Sequence, residues 1–225
     1  MKRLLFIASI LAISINVAYC QTFKESFMDT VQQEYKPNTE IFNLELKPTF
    51  GKMVGKSLLN VFKYNLVIYG AILVLPECLT KWDPKGKFNL HHIADQYHLT
   101  FTKPPIIDDD LIVVNFAGHP YQGSFYYNSV RSQGATIFQS AIVCSLNTVI
   151  WEYCWEGSQE QPSIQDLLVT PILGSLLGEL IHKATLKMRK NGFTQNEKII
   201  TCIINPNYVI NNGFKSKQLI SINNY

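Results

Sequence analysis

The stretch from Asn115 to Glu179 constrains the fold more than any other. Ionisable and amide side chains recur there at helical spacing inside otherwise apolar segments. Tyr121, Ser124, Asn128 and Arg131 follow one another at three- and four-residue steps, so on a helix they share one face. Ser145, Thr148, Glu152 and Glu156 repeat the pattern on a segment filled with Ile, Val, Leu and Trp. An unpartnered polar group is costly to bury, so each stripe must face a partner. Gly134 supplies a bend between the two segments, which predicts an antiparallel hairpin with Arg131 and Glu152 at opposite ends. Asp166 and Glu179 are then the candidates to neutralise Arg131.

Helix punctuation extends this reading. His119-Pro120 marks a helix start, since proline fits the first helical position, and the helix is expected to run to about Arg131. A second helix is expected over 136–155. Ser163 and Asp166 stand at capping-box spacing and open a short turn. Thr170-Pro171 then opens a last helix running to about Arg189, with Gly192 beyond it. Gly174 and Gly178 form a G-x-x-x-G step on that helix, which admits a close neighbouring backbone. An earlier helix is expected from Lys56 to Leu75, stopped by Pro76. Residues 77–110 read as a long polar connection ending in Asp108–Asp110, a solvated turn. The β-branched run at 198–205 reads as a strand or an extended packing segment.

Met1-Lys2-Arg3, the apolar run Leu4 to Val17 and the small residues Ala18 and Cys20 have the layout of a cleaved secretory signal. Cys20 also leaves open a lipoprotein start. Without Lys2 and Arg3, the 20 basic residues fall to 18 against 17 acidic ones, and this balance argues against nucleic acid as a partner. Charged residues are only 16% and hydrophobic ones 47%, which is apolar for an exported chain and points to membrane lipid or an envelope protein as partner. Cys78, Cys144, Cys154 and Cys202 are an even count that permits disulfides in an exported chain. Cys144 and Cys154, however, sit in an apolar helical segment without the close pairing of a stapled mini-domain or a zinc site, which favours ordinary buried thiols.

The chemistry-bearing candidates are His119, Ser124, Glu152 and Asp166, which supply the residue types of acyl transfer. Gly123-Ser124 lacks the G-x-S-x-G elbow, however. Tyr121, Tyr127, Asn128, Arg131, Trp151, Glu156, Ser163 and Glu179 complete a binding or structural polar cluster. No metal and no cofactor is expected. His91, Asp95 and His98 would share a helix face but read as incidental, and Glu179-x-x-His182 is half of a di-metal motif whose second copy is absent.

The pattern H-P-Y-x-G-S-x-Y-Y, then R-S, W-E-Y-x-x-E and P-S-x-x-D-L-x-x-T-P-x-x-G-x-x-x-G-E resembles an uncharacterised family of exported Gram-negative proteins, a domain of unknown function. The resemblance covers about 82–179 and implies that His119, Tyr121, Gly123, Ser124, Tyr126, Tyr127, Arg131, Trp151, Glu152, Glu156, Ser163, Asp166 and Glu179 match recurring positions. It implies no activity.

These readings converge on a mainly α-helical chain: a signal over 1–20, an extended lead-in over 21–55, a compact bundle of four or five helices over 56–192 and a tail over 193–225 with a short strand. The expected location is the periplasm, against the outer membrane. The expected function is a membrane-associated module that binds lipid or a membrane-protein partner. The alternative is a lipid- or glycan-directed hydrolase or transferase using His119, Ser124, Glu152 and Asp166.

Overall fold

The computed structural model describes residues 48–108, 110–190 and 192–214. The expected signal over 1–20 and most of the lead-in lie outside the described residues. Eight α-helices are present among those described: α1 (Phe50–Leu73), α2 (Glu77–Thr80), α3 (Leu90–Thr102), α4 (His119–Arg131), α5 (Ile137–Ile150), α6 (Ile164–Lys190), α7 (Gln195–Ile204) and α8 (Pro206–Asn212). The fold is mainly helical, as its periodicity implied, but with more helices than the four or five expected.

Three differences from the sequence reading have identifiable causes. Residues 77–110 are not simply a loop, because Asn89 caps α3 by accepting from the backbone N–H of His91 and His92. The run at 198–205 is helical up to Ile204 rather than a strand. Thr194 and Glu197 form a reciprocal capping box that starts α7, and local capping overrides the β preference of its isoleucines. Finally, α6 does not start at Thr170-Pro171 but runs through it from Ile164. Pro171 removes one backbone bond, and tight packing of this turn against α4 holds the helix together.

Helix α4 is the axis of the molecule. From His119 to Val130 every residue except Tyr121 is buried. The contacts of α4 with α6 run in step: His119 with Thr170, Gly123 with Gly174, Asn128 with Gly178, and Arg131 with Glu179. The two helices are therefore parallel. A Cβ on Gly174 would stand 2.5 Å from the Gly123 Cα, so both glycines serve the close approach that the G-x-x-x-G step implied. Gly134, at φ 98°, makes the turn into α5, which returns antiparallel. Helix α1 runs antiparallel to α4, with Gln133 donating to the Met53 carbonyl (3.1 Å) and Tyr126 to Asn65 (2.9 Å). On the other side of α4, Asn207 of α8 donates to the Phe125 carbonyl at 2.8 Å.

Polar and apolar groups are distributed unusually. Among the described residues, buried polar side chains outnumber buried apolar ones. The outer faces of α1, α5 and α6 carry exposed Leu59, Phe62, Leu66, Ile137, Phe138, Ile142, Leu146, Leu168, Ile172, Leu176 and Leu180. Helix α5 packs against both α1 and α6 and so stands between the other two. Among the described residues α6 is the one helix long and apolar enough, by length and composition, to cross a membrane.

Candidate functional site

At the N-terminal end of α4, three elements bring ionisable groups together. The first is a wide π-helical turn over Val114–Gly118, which leads into His119. Pro120 has no N–H to give the carbonyl four residues back, so a widened turn before it relieves the mismatch. The second is another π-helical turn, Trp151–Trp155, which ends α5 and carries Glu152. The third is the start of α6, with Ser163 and Asp166. Ile106 bridges to this start: its N–H donates to the Pro162 carbonyl at 2.9 Å, and its own carbonyl accepts from Ile164 at 2.8 Å. That bridge delivers Asp108.

Ser163 is the junction. Its backbone N–H donates to Glu152 Oε2 at 2.9 Å, its hydroxyl oxygen accepts from the Asp166 N–H at 3.1 Å, and its hydroxyl donates to Asp108 Oδ2. Asp108 Oδ1 also accepts from Asn115 Nδ2 at 2.9 Å. His119 Nδ1 lies 3.2 Å from the Thr170 hydroxyl, while its Nε2 faces Asp166 Oδ1 at 3.6 Å. One ligand atom from each of His119, Glu152 and Asp166 can be chosen so that all lie within 4.8 Å of one another. Glu152 Oε1 and Asp166 Oδ1 are buried with no hydrogen-bond donor.

Burial dominates the electrostatics. It drives His119 down to about 4, against the opposing charge of Asp108, so the ring is neutral near pH 7. Burial, then the charge of Asp108, pushes Asp166 up to about 7. Burial lifts Glu152 well above the carboxylate range despite the Ser163 N–H. Asp108 goes the other way: burial would raise it, but its bonds from Ser163, Asn115 and the Asp110 N–H outweigh that. A second layer stands behind. Glu156, also lifted by burial, accepts from Trp151 Nε1 at 2.6 Å, and Glu160 accepts from Trp82 Nε1 at 2.9 Å.

A separate polar group occupies the opposite end of α4, about 20 Å further along α6. Arg131 Nε donates to Glu179 Oε2 at 2.8 Å and its Nη2 to Oε1 at 3.3 Å. The Tyr127 hydroxyl donates to Glu179 Oε2 at 2.7 Å. Of the two carboxylates considered for Arg131, Glu179 takes it.

The candidate residues therefore divide. His119, Glu152, Asp166 and Ser163 meet at one end, with Trp151 and Glu156 beside them. Tyr127, Arg131 and Glu179 meet at the other. Asn128 lies between, donating to the carbonyls of Ser124 and Gly178, both at 3.0 Å. The Ser124 hydroxyl donates to the Tyr121 carbonyl at 2.7 Å, and the Tyr121 hydroxyl donates to the Ile203 carbonyl. Ser163, not Ser124, supplies the hydroxyl of the cluster. Asp108, Asn115 and Thr170 are additions that the sequence reading missed. Asp108 belongs to the cluster rather than to a solvated turn, because the Ile106 bridge carries it inward. His91 and Asp95 do pair on a helix face, at 3.6 Å, but both are largely exposed.

Residues 104–207 match the family described as Domain of unknown function (DUF3943). That span contains both polar groups. No curated protein and no solved structure matches the chain.

Proposed function

We propose that this is an exported, membrane-associated helical module of the cell envelope that rests its α1–α5–α6 flank against lipid. The observation that carries the reading is the inverted distribution of side chains, with a polar core around α4 and exposed apolar side chains along α1, α5 and α6. A patch this wide on a lone soluble domain would be exposed to water at high cost, and it calls for an apolar environment. Lipid fits better than a partner helix, because the apolar side chains cover three helices rather than one groove. Lys52 and Lys56 of α1 and Lys183, Lys187 and Lys190 of α6 are exposed at one end of the bundle, where they suit anionic headgroups. The secretory layout of residues 1–20 supports export.

The test is flotation of the purified chain with vesicles of phosphatidylethanolamine and phosphatidylglycerol. Wild type floats, and Ile172→Glu with Leu176→Glu remains with the protein fraction while keeping its helical circular dichroism. A wild type that stays behind, monodisperse without lipid or detergent, sinks the reading. A stable detergent-free oligomer through this flank would replace lipid with a second copy.

A further inference from the structure

We infer that His119, Glu152 and Asp166 bind a divalent first-row transition cation, held at the joint between the N-terminal ends of α4 and α6 and the end of α5. The cluster is more than a concentration of acids. Glu152 and Asp166 are 1% and 3% exposed, yet Glu152 Oε1 and Asp166 Oδ1 receive no hydrogen bond. Leaving two carboxylate oxygens without donors in the interior carries a penalty that native folds rarely bear without a ligand or an ordered water. His119, 5% exposed, completes the third side. One proton could join two of these atoms, but a cation satisfies all three together.

The supporting groups are arranged as metal-site supports usually are. The Thr170 hydroxyl holds His119 Nδ1 and leaves Nε2 toward the carboxylates. The Ser163 N–H fixes Oε2 of Glu152 and leaves Oε1 without a donor. Bonds of about 2.0–2.2 Å would draw the ligand atoms to roughly 3.3–3.6 Å apart in a tetrahedral site. The present separations, up to 4.8 Å, therefore close by about an ångström or a little more. An imidazole with two carboxylates selects against Mg2+ and Ca2+, which favour all-oxygen shells, and favours ions such as Zn2+ or Mn2+. Three protein ligands leave a position open. The inference does not depend on lipid binding.

The experiment uses the purified full chain in mild detergent, stripped with chelator and titrated with Zn2+ by calorimetry, with Mg2+ as comparison. The expected result is one equivalent of Zn2+ bound and a Zn2+-dependent rise in Tm. Both are lost in Glu152→Gln and weakened at least about 100-fold in His119→Gln, whereas His91→Gln, which removes the exposed His/Asp pair, binds as wild type. In chelator, Glu152→Gln should unfold no lower than wild type, since the Gln carbonyl can still accept from the Ser163 N–H and a buried acid with one donorless oxygen is removed. That comparison separates lost binding from lost folding. Absence of Zn2+ binding by the wild type, or wild-type affinity in folded Glu152→Gln and His119→Gln, overturns the site.

Discussion

Gly123 on α4 and Gly174 on α6 meet backbone to backbone, so closely that a Cβ on Gly123 would stand 2.2 Å from the Thr170 carbonyl oxygen. That carbonyl cannot move aside without breaking α6 near Pro171, where one backbone bond is already missing. Gly123→Ala therefore forces the helices apart. The expected loss is about 3 kcal/mol of stability, outweighing the gain of about 1 kcal/mol in helix propensity. Chemical unfolding followed by circular dichroism checks it. An alanine variant as stable as wild type would mean that the approach is looser than this geometry.

This contact was the part of the fold most legible in the sequence, because small residues at four-residue spacing on an apolar helix have few other uses. The polar stripe on α4 was legible for the same reason of period. What could not be read was anything fixed by a distant partner. Asp108 joins the cluster only because Ile106 bridges to the start of α6. Thr170 looked like a helix start because Pro171 follows it, and only packing against Gly123 explains an unbroken α6. At 198–205 the error was local. The β-branched residues favour a strand, whereas Thr194 and Glu197 have the spacing of a helix start. In the candidate site, residue types pointed to His119, Glu152 and Asp166, but not to the exclusion of Ser124. Where a hydroxyl points depends on the helix it bonds back to, and Ser124 bonds to its own.

Lys87 is 4% exposed and closes the end of α1. Its Nζ donates to the Leu75 carbonyl at 2.7 Å, the Ile72 carbonyl at 3.4 Å and the Thr80 hydroxyl at 3.2 Å. Lys87→Met keeps the aliphatic stem but removes the ammonium donor of the half-buried Leu75 carbonyl, while the Ile72 carbonyl keeps the Leu75 N–H and the Thr80 hydroxyl keeps the Trp82 N–H. A loss of about 2 kcal/mol is expected. Hydrogen exchange should rise first in the last turn of α1. Unchanged protection there would show that water replaces the ammonium group.

Ser163 serves three partners at once: the Asp166 N–H, Asp108 and Glu152. Ser163→Ala retains the backbone bond to Glu152 and deletes the other two. The cap alone accounts for about 1 kcal/mol, and releasing Asp108 adds to it, so about 2 kcal/mol is expected. Ser163→Thr keeps the hydroxyl and should recover most of the loss. Thermal unfolding of the pair distinguishes a hydroxyl effect from a packing effect, since threonine that behaved like alanine would point to packing.

The pair Arg131–Glu179 makes the last prediction, because it lies between interior and surface. The two side chains are 20% and 13% exposed, so the bonds are partly screened but neither group is well hydrated. Arg131→Met leaves Glu179 with only the Tyr127 hydroxyl and the longer contact to Lys183 at 3.7 Å. A loss of about 2–3 kcal/mol is expected, below the cost of breaking a fully buried pair. Adding Glu179→Gln should restore part of it, since the stranded charge is then gone. The pH dependence follows from Glu179. Burial raises its pKa, but the bonds from Arg131 and Tyr127 outweigh burial and hold it below the ordinary carboxylate value. A depressed carboxylate contributes stability in full above the unfolded value of about 4.3 and loses it as pH falls through the lower folded value. Between neutral pH and that acid range, the stability gap between wild type and Arg131→Met should narrow as pH falls. A gap constant down to the acid limit would mean that Arg131 acts through its bond to the Ala135 carbonyl (3.0 Å) and its packing rather than through Glu179.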